Sequence, residues 1–141
     1  MMASLRRIDS GTIRRGRVLV VENEPLEGKG LAETFLEHEF VLAGSGAEAL
    51  ALIVAGRPYD LVLCDVMLHD MSGVELLSHL WRDHPRQAQR VVFLTKGQVP
   101  PVLQYLLDGV PNLCIDVPFD RDALRALIER RTRSSRSAPA T

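Results

Sequence analysis

The segment YDLVLCDVMLHDMSGVELL, residues 59–77, decides the fold class of this chain. Its first part, Asp60–Cys64, is apolar after the first residue, and Gly73–Asp83 then places apolar side chains on one helical face. A short apolar run without alternation is typical of a strand that is buried on both faces. Because such strands occur in parallel sheets covered by helices, the segment predicts an α/β protein.

The same strand-then-helix order extends to both sides of this segment. Four more strands are predicted, over 17–21, 40–43, 90–94 and 112–115. The remaining helices are predicted to run from Pro25 to His38, over 47–54, from Pro100-Pro101 to Gly109, and over 120–131. This alternation predicts a doubly wound, five-stranded parallel sheet whose ligands bind at the carboxyl ends of the strands. The segment ENEPLEG, 22–28, lacks the spaced glycines of a nucleotide-binding loop, which disfavours nucleotide enzymes.

Composition indicates one soluble globular domain: 141 residues, of which 46% are hydrophobic and 25% charged. No apolar run approaches the roughly 20 residues of a membrane helix, and the N-terminus lacks the apolar stretch of a secretory signal. We therefore expect a cytoplasmic protein without a membrane partner. The only cysteines, Cys64 and Cys114, lie in apolar runs and are predicted to pack as small buried hydrophobes.

Charge is distributed unevenly along the chain, although the formal net charge is only -1. Five arginines and one aspartate give +4 over residues 1–17, four arginines and one glutamate give +3 over 129–141, and 18–128 carry -8. We predict a basic arm at 1–16, a folded domain at 17–131 and a disordered basic tail at 132–141, with no fused output domain. The basic ends either solubilise the chain or contact an acidic partner. Because a recognition-helix motif is missing, nucleic acid is not the expected partner.

Polar residues follow the predicted strands at one edge of the sheet. These residues are Glu22, Asn23 and Glu24 after the first strand, Asp65 after the third, Thr95 after the fourth and Asp116 after the fifth. Any one of them alone is equally typical of a helix cap or a solvated loop. Together, carboxylates at a desolvated edge repel one another unless a cation lies between them, and oxygen ligands of this kind suit Mg²⁺. The set predicts an aspartyl-phosphate site with an Asp nucleophile, a divalent cation and a hydroxyl donor.

Four segments, VLVVENEPL, YDLVLCDVMLHDMSGVELL, VVFLT and DVPF, resemble motifs of the CheY-like receiver superfamily, and the resemblance extends over about residues 18–128. It implies a flavodoxin-like (βα)5 three-layer sandwich with strand order 2-1-3-4-5. It also implies phosphotransfer to Asp65 from a sensor histidine kinase or a histidine phosphotransferase. The implied roles are Mg²⁺ ligation by Glu22, Asn23, Asp65 and the carbonyl of Met67, a switch hydroxyl on Thr95, and a cis peptide at Val117-Pro118.

The chain departs from the family pattern at four positions. Asn23 replaces an aspartate, which predicts weakened Mg²⁺ binding, with Glu24 as a substitute ligand. Val117 replaces a lysine that neutralises the phosphoryl group, and Cys114 replaces an aromatic switch residue. His69 replaces a proline, which predicts a looser loop after Asp65.

Asn23 removes one acidic group and Val117 removes one basic group, so the two replacements together leave the net charge of the pocket unchanged. Lys96, which follows Thr95, is a second possible replacement for the missing positive charge at Val117. Its ammonium either pairs with the phosphoryl group in place of the lost lysine or is solvated at a loop edge.

The function predicted from the sequence is an atypical stand-alone receiver that accepts a phosphoryl group on Asp65 and acts through contacts with a downstream protein. A monomer and a homodimer both remain open. One alternative is a pseudo-receiver that acts without phosphorylation. A more distant alternative is an Asp-nucleophile phosphohydrolase, which needs a second carboxylate at the position of Met67, so that we do not expect an enzyme.

Overall fold

The computed structural model describes residues 15–24 and 26–137. The predictions for residues 1–14, for a helix start at Pro25 and for 138–141 lie outside these ranges. The strands are β1 (Arg17–Val21), β2 (Glu39–Ala43), β3 (Leu61–Asp65), β4 (Val91–Thr95) and β5 (Cys114–Asp116). The helices are α1 (Leu26–Thr34), α2 (Gly46–Ala55), α3 (Gly73–Asp83), α4 (Pro85–Ala88), α5 (Pro101–Asp108) and α6 (Arg121–Ser137).

All five strands form one parallel sheet in the order β2-β1-β3-β4-β5. The predicted fold class and strand order are therefore confirmed. In the centre of the sheet, Val18 of β1 lies opposite Leu61 of β3, and Asp65 lies opposite Leu94 of β4. This register brings the carboxyl ends of the three central strands to a common edge.

Each face of the sheet packs against its own helices. On one face, Leu19, Val62 and Phe93 belong to a core that includes side chains of α2, α3 and α5. On the other face, Val20, Leu63 and further strand residues pack with side chains of α1 and α6. Residues of both cores are almost completely buried, which explains why the strands are uniformly apolar.

The last helix differs from its prediction. It continues to Ser137, so the tail predicted to be disordered from residue 132 is helical over 132–137. Thr132 is buried, its hydroxyl donates to the carbonyl of Ile128 at 2.7 Å, and a Cβ on Gly16 would lie 2.5 Å from Thr132 Oγ1. Thr132 is thus packed against Gly16, although the polar composition of this segment had indicated disorder.

Two smaller predictions were wrong at the sheet edges. The first helix was expected to reach His38 but ends at Thr34, since the buried His38 instead accepts a hydrogen bond from the Gly16 N–H at Nδ1 (2.8 Å). Cys64 is buried as expected, whereas Cys114 is exposed because β5 is a three-residue edge strand. No helix in the described part of the chain has the length and apolar character needed to cross a membrane.

Candidate functional site

Two buried carboxylates lie at the common edge where β1 and β3 end. Glu22 is 1% exposed and Asp65 is 6% exposed. The Glu22 Oε1 atom accepts a hydrogen bond from the Gly28 N–H at 2.7 Å, which fixes this carboxylate against the first turn of α1. The sequence prediction that acidic groups converge here therefore agrees with the geometry.

Asp65 is held in place by the helix that follows its loop. The Gly73 N–H donates to the carbonyl of Val66 at 2.6 Å, and a Cβ on Gly73 would lie 2.5 Å from the backbone oxygen of Asp65. Ser72 caps α3 by accepting from the Glu75 N–H at 3.0 Å. Glycine at position 73 is thus required for the close approach between the start of α3 and the end of β3.

Lys96 reaches the two carboxylates from the end of β4. Its Nζ lies 3.5 Å from Asp65 Oδ2 and 4.0 Å from Glu22 Oε2. Gly97 adopts a left-handed φ of 63°, which glycine tolerates best, and so turns the chain directly after Lys96. The Lys96 ammonium therefore lies beside the pocket carboxylates, while 45% of its side chain is exposed.

A cavity of about 220 Å³ opens beside Asp65. Its lining includes Asn23, Glu24, Met67, His69 and Lys96. A larger cavity of about 710 Å³ lies at the opposite edge of the sheet, between Tyr59 and Arg90, and is lined by different residues. We therefore place the candidate chemistry in the smaller cavity.

The side chain of Asn23 joins the edge of β1 to the loop after Asp65. Its Oδ1 accepts from the His69 N–H at 2.8 Å, and its Nδ2 donates to the Met67 carbonyl at 3.1 Å. The sequence predicts a looser loop at His69, and the structure adds a hydrogen bond from its backbone N–H. A proline at 69 would have no N–H to donate, so the histidine makes one of the two bonds that hold the loop.

Asp70 is a second anchor of the same loop, and the sequence reading missed it. Its carboxylate accepts from the N–H groups of Gly46 and Ala47, both at 2.9 Å, at the start of α2. These two backbone hydrogen bonds lower the pKa of Asp70. An acidic residue five positions after Asp65 is in itself typical of a solvated loop, and only the fold brings it to a helix N-terminus.

The groups at the ends of β4 and β5 include the predicted cis peptide and a hydrogen bond that the sequence did not predict. The Thr95 hydroxyl donates to the Asp116 carboxylate and lies 3.4 Å from the Ile115 carbonyl. Val117 packs in part against the core on the α6 side, and its peptide bond to Pro118 is cis. In this arrangement the threonine hydroxyl is engaged with β5.

The sequence matches the family model of the response regulator receiver domain over residues 18–129. The chain belongs to the response regulator receiver family. It is 33% identical over 128 residues to the transcriptional regulatory protein PcoR of Escherichia coli, covering 89% of this chain and 55% of that protein. It is 29% identical over 114 residues to the Regulator of RpoS from E. coli K12, covering 79% and 33%. The chain thus spans about half or less of the length of these curated relatives.

Solved structures show the same receiver fold. The signal receiver domain of an HD domain-containing protein from Pseudomonas fluorescens Pf-5 superposes with a TM-score of 0.72 at 22% identity, covering 89% of this receiver and 100% of that chain. The chemotaxis response regulator CheY4 of Vibrio cholerae gives 0.67 at 21% identity, covering 83% and 98%. At these identities the likeness concerns the fold alone.

Family membership places this chain in two-component signalling, in which receivers interact with kinases or phosphotransfer proteins and with downstream proteins. Receivers also typically bind Mg²⁺ through acidic residues. In this receiver the donor set does not fit that ion as it stands. The Asn23 and Met67 oxygens accept hydrogen bonds, and the ammonium of Lys96 lies beside both carboxylates.

Proposed function

We propose that this receiver is an atypical cytoplasmic member of its family that accepts a phosphoryl group on Asp65 and acts through protein–protein contacts. The donor would be the phosphohistidine of a sensor histidine kinase or a histidine phosphotransferase. One observation carries the proposal: the nearly buried Asp65 carboxylate borders a small cavity, and the Lys96 ammonium lies 3.5 Å from it.

The proposed chemistry needs a nucleophile and a counter-charge. A carboxylate oxygen of Asp65 attacks phosphorus, the P–N bond to the donor imidazole breaks, and an acyl phosphate forms. The transferred group carries a charge of about -1.5 to -2 near neutral pH. Lys96 lies close enough to provide the positive charge that Val117 lacks.

An exposed apolar surface supports action through protein contacts. The side chains of Val102 and Tyr105 on α5 are 72% and 78% exposed, and Leu106 and Leu113 are 43% and 46% exposed. Large apolar side chains grouped in this way are typical of a surface that another protein covers. We propose that the downstream partner contacts α5 and β5.

The test is incubation of the protein with acetyl phosphate, followed by intact mass measurement. We expect a mass gain of one phosphoryl group, its loss in Asp65→Asn and its retention in the control Asp83→Asn, which changes an exposed carboxylate. Lys96→Ala should reduce the extent or the lifetime of labelling by at least about tenfold, in line with the loss of one charge-assisted contact. An unlabelled wild-type protein would contradict the proposal.

The second candidate is a pseudo-receiver that makes its contacts without phosphorylation. Two features favour it. The clamp, by which we mean the two hydrogen bonds from the Asn23 side chain to the Met67 carbonyl and the His69 N–H, holds the site in one arrangement without a phosphoryl group. The hydrogen bond between Thr95 and Asp116 does the same. This candidate predicts that Asp65→Asn binds the downstream partner as tightly as the wild-type protein does. The phosphohydrolase alternative is not proposed, since Met67 occupies the position of the required second carboxylate.

A further inference from the structure

We infer that this receiver carries its own cation: the ammonium of Lys96 and the carboxamide of Asn23 take the place of a divalent metal, so that the resting pocket does not take up Mg²⁺. This inference deepens the proposed function and rests on its choice of the Asp65 pocket. It concerns metal binding alone, and its test uses no phosphodonor.

The position of Lys96 is the first argument. Glu22 and Asp65 come from adjacent strands, are almost completely buried, and would repel each other without a positive charge. The Lys96 Nζ lies 3.5 Å from one carboxylate and 4.0 Å from the other. A Mg²⁺ ion at its usual ligand distance of about 2.0–2.1 Å from the same oxygens would meet this ammonium at close range. The two cations therefore compete for one place.

The bonding of Asn23 is an independent argument. Its Nδ2 donates to the Met67 carbonyl and its Oδ1 accepts from the His69 N–H, so each end of the carboxamide has a matched partner. An aspartate at position 23 has no N–H to donate and would direct an oxygen at the Met67 carbonyl oxygen. Two facing oxygens need a cation between them, whereas an amide and a carbonyl do not. Asn23 thus provides the positive end that a metal would otherwise supply.

His69 is the third residue that helps to replace the metal. Its backbone N–H donates to Asn23 Oδ1 and so occupies one of the two lone pairs of that oxygen, whereas a proline at this position would donate nothing. Asn23 and His69 are two departures from the family pattern, and Lys96 lies at a third, separate place in the chain. In the structure, Asn23 and His69 provide hydrogen bonds at the pocket, and Lys96 provides a positive charge beside its two carboxylates.

The experiment is an amide NMR titration of the full chain with Mg²⁺ alone. The variants are the wild type, Lys96→Gln, Asn23→Asp and the double variant Asn23→Asp/Lys96→Gln, with Lys29→Gln as the control because Lys29 is the other lysine and is exposed on α1. We expect no saturable shifts at the amides of residues 22, 65 and 67 in the wild type and the control. The double variant should bind Mg²⁺ at least about tenfold more tightly than the wild type, the lower end of the effects found for neighbours of a metal site.

Two outcomes would overturn the inference: saturable Mg²⁺ binding by the wild type with the affinity of the double variant, or absence of binding in every variant. Thermal unfolding is the second measurement, because three carboxylates without Lys96 are expected to destabilise the double variant unless Mg²⁺ is present. Its Tm should rise with Mg²⁺ while that of the wild type does not. Failure of phosphoryl transfer would leave these results unchanged, so that the two proposals can be contradicted separately.

Discussion

At the scale of single residues, the loop after Asp65 depends on hydrogen bonds that cross between elements. Asn23 holds it from the end of β1, and Asp70 holds it at the start of α2. The loop itself is closed by an antiparallel bridge between Met67 and Ser72. These contacts hold the backbone of the loop beside Asp65, even though His69 and Asp70 are exposed.

His69→Pro tests the clamp directly. The substitution removes the N–H that donates to Asn23 Oδ1, so we expect a loss of about 1 kcal/mol in the free energy of unfolding, the usual net value of one hydrogen bond. Hydrogen exchange at residues 67–70 should also become faster. His69→Ala retains the N–H and is the matched control, with a change of less than about 0.5 kcal/mol. Equal stability of the two variants would show that the clamp contributes nothing.

At the scale of secondary-structure elements, the junction between β3 and α3 positions the site. Gly73 begins α3 directly behind Asp65, and its added Cβ would meet the Asp65 carbonyl at 2.5 Å and the Phe93 ring at 3.0 Å. Gly30, in the middle of α1, differs because a Cβ there would meet no atom within 4 Å. Position 73 thus has no room for a side chain, whereas position 30 has room for one.

We expect Gly73→Ala to destabilise the protein by about 1–3 kcal/mol, the usual cost of overpacking a close contact. Gly30→Ala should stabilise it by about 0.5–1 kcal/mol, because alanine has the higher helix propensity. Urea unfolding of both variants measures these changes. Loss of acetyl-phosphate labelling in Gly73→Ala, with normal labelling in Gly30→Ala, would further link this junction to the geometry of Asp65.

At the scale of the whole molecule, His38 links the first strand to the last helix. It is 4% exposed, its Nδ1 accepts from the Gly16 N–H, and Gly16 packs against Thr132 of α6. Its side chain also lies near Glu37 and Glu129 in a cluster whose ligand atoms are within 4.8 Å of one another. Because Nδ1 accepts a hydrogen bond, the neutral ring carries its proton on Nε2, and Glu37 is paired with Arg125 at 3.0 Å.

Protonation of His38 is expected to weaken the fold below neutral pH. Burial lowers its pKa; Glu37 and Glu129 oppose this shift and Arg15 and Arg125 add to it. The unfolded chain then binds more protons at this histidine, so its contribution to stability is complete above a pH of about 6.5 and is lost as the pH falls toward the lower folded pKa.

His38→Asn tests this dependence, since its Oδ1 offers an acceptor without a titrating ring. Between pH 8 and pH 5, we expect the free energy of unfolding of the wild type to fall more steeply than that of His38→Asn. His79→Asn, at a half-exposed position on α3, is the control and should follow the wild type. Parallel curves for the wild type and His38→Asn would contradict the assignment.

The residue patterns were sufficient to predict the α/β class and the acidic edge, and the resemblance to the receiver family implied the strand order. Apolar runs such as RVLVV and DLVLC report burial on both faces, and in a parallel sheet every strand ends at the same edge. The positions of Glu22 and Asp65 followed from this rule, and the resemblance added the expected roles. These are properties of backbone direction and burial, which residue patterns encode directly.

Only the tertiary structure decided which atoms meet at that edge. The direction of Lys96, the two bonds of Asn23, the cap formed by Asp70 and the contact of Thr95 with Asp116 each join residues that are distant along the chain. The packing of Thr132 against Gly16 likewise joins residues that are distant along the chain. A pattern of residue types sets which face a side chain occupies, whereas its rotamer and its hydrogen-bond partner depend on neighbours that folding alone brings together.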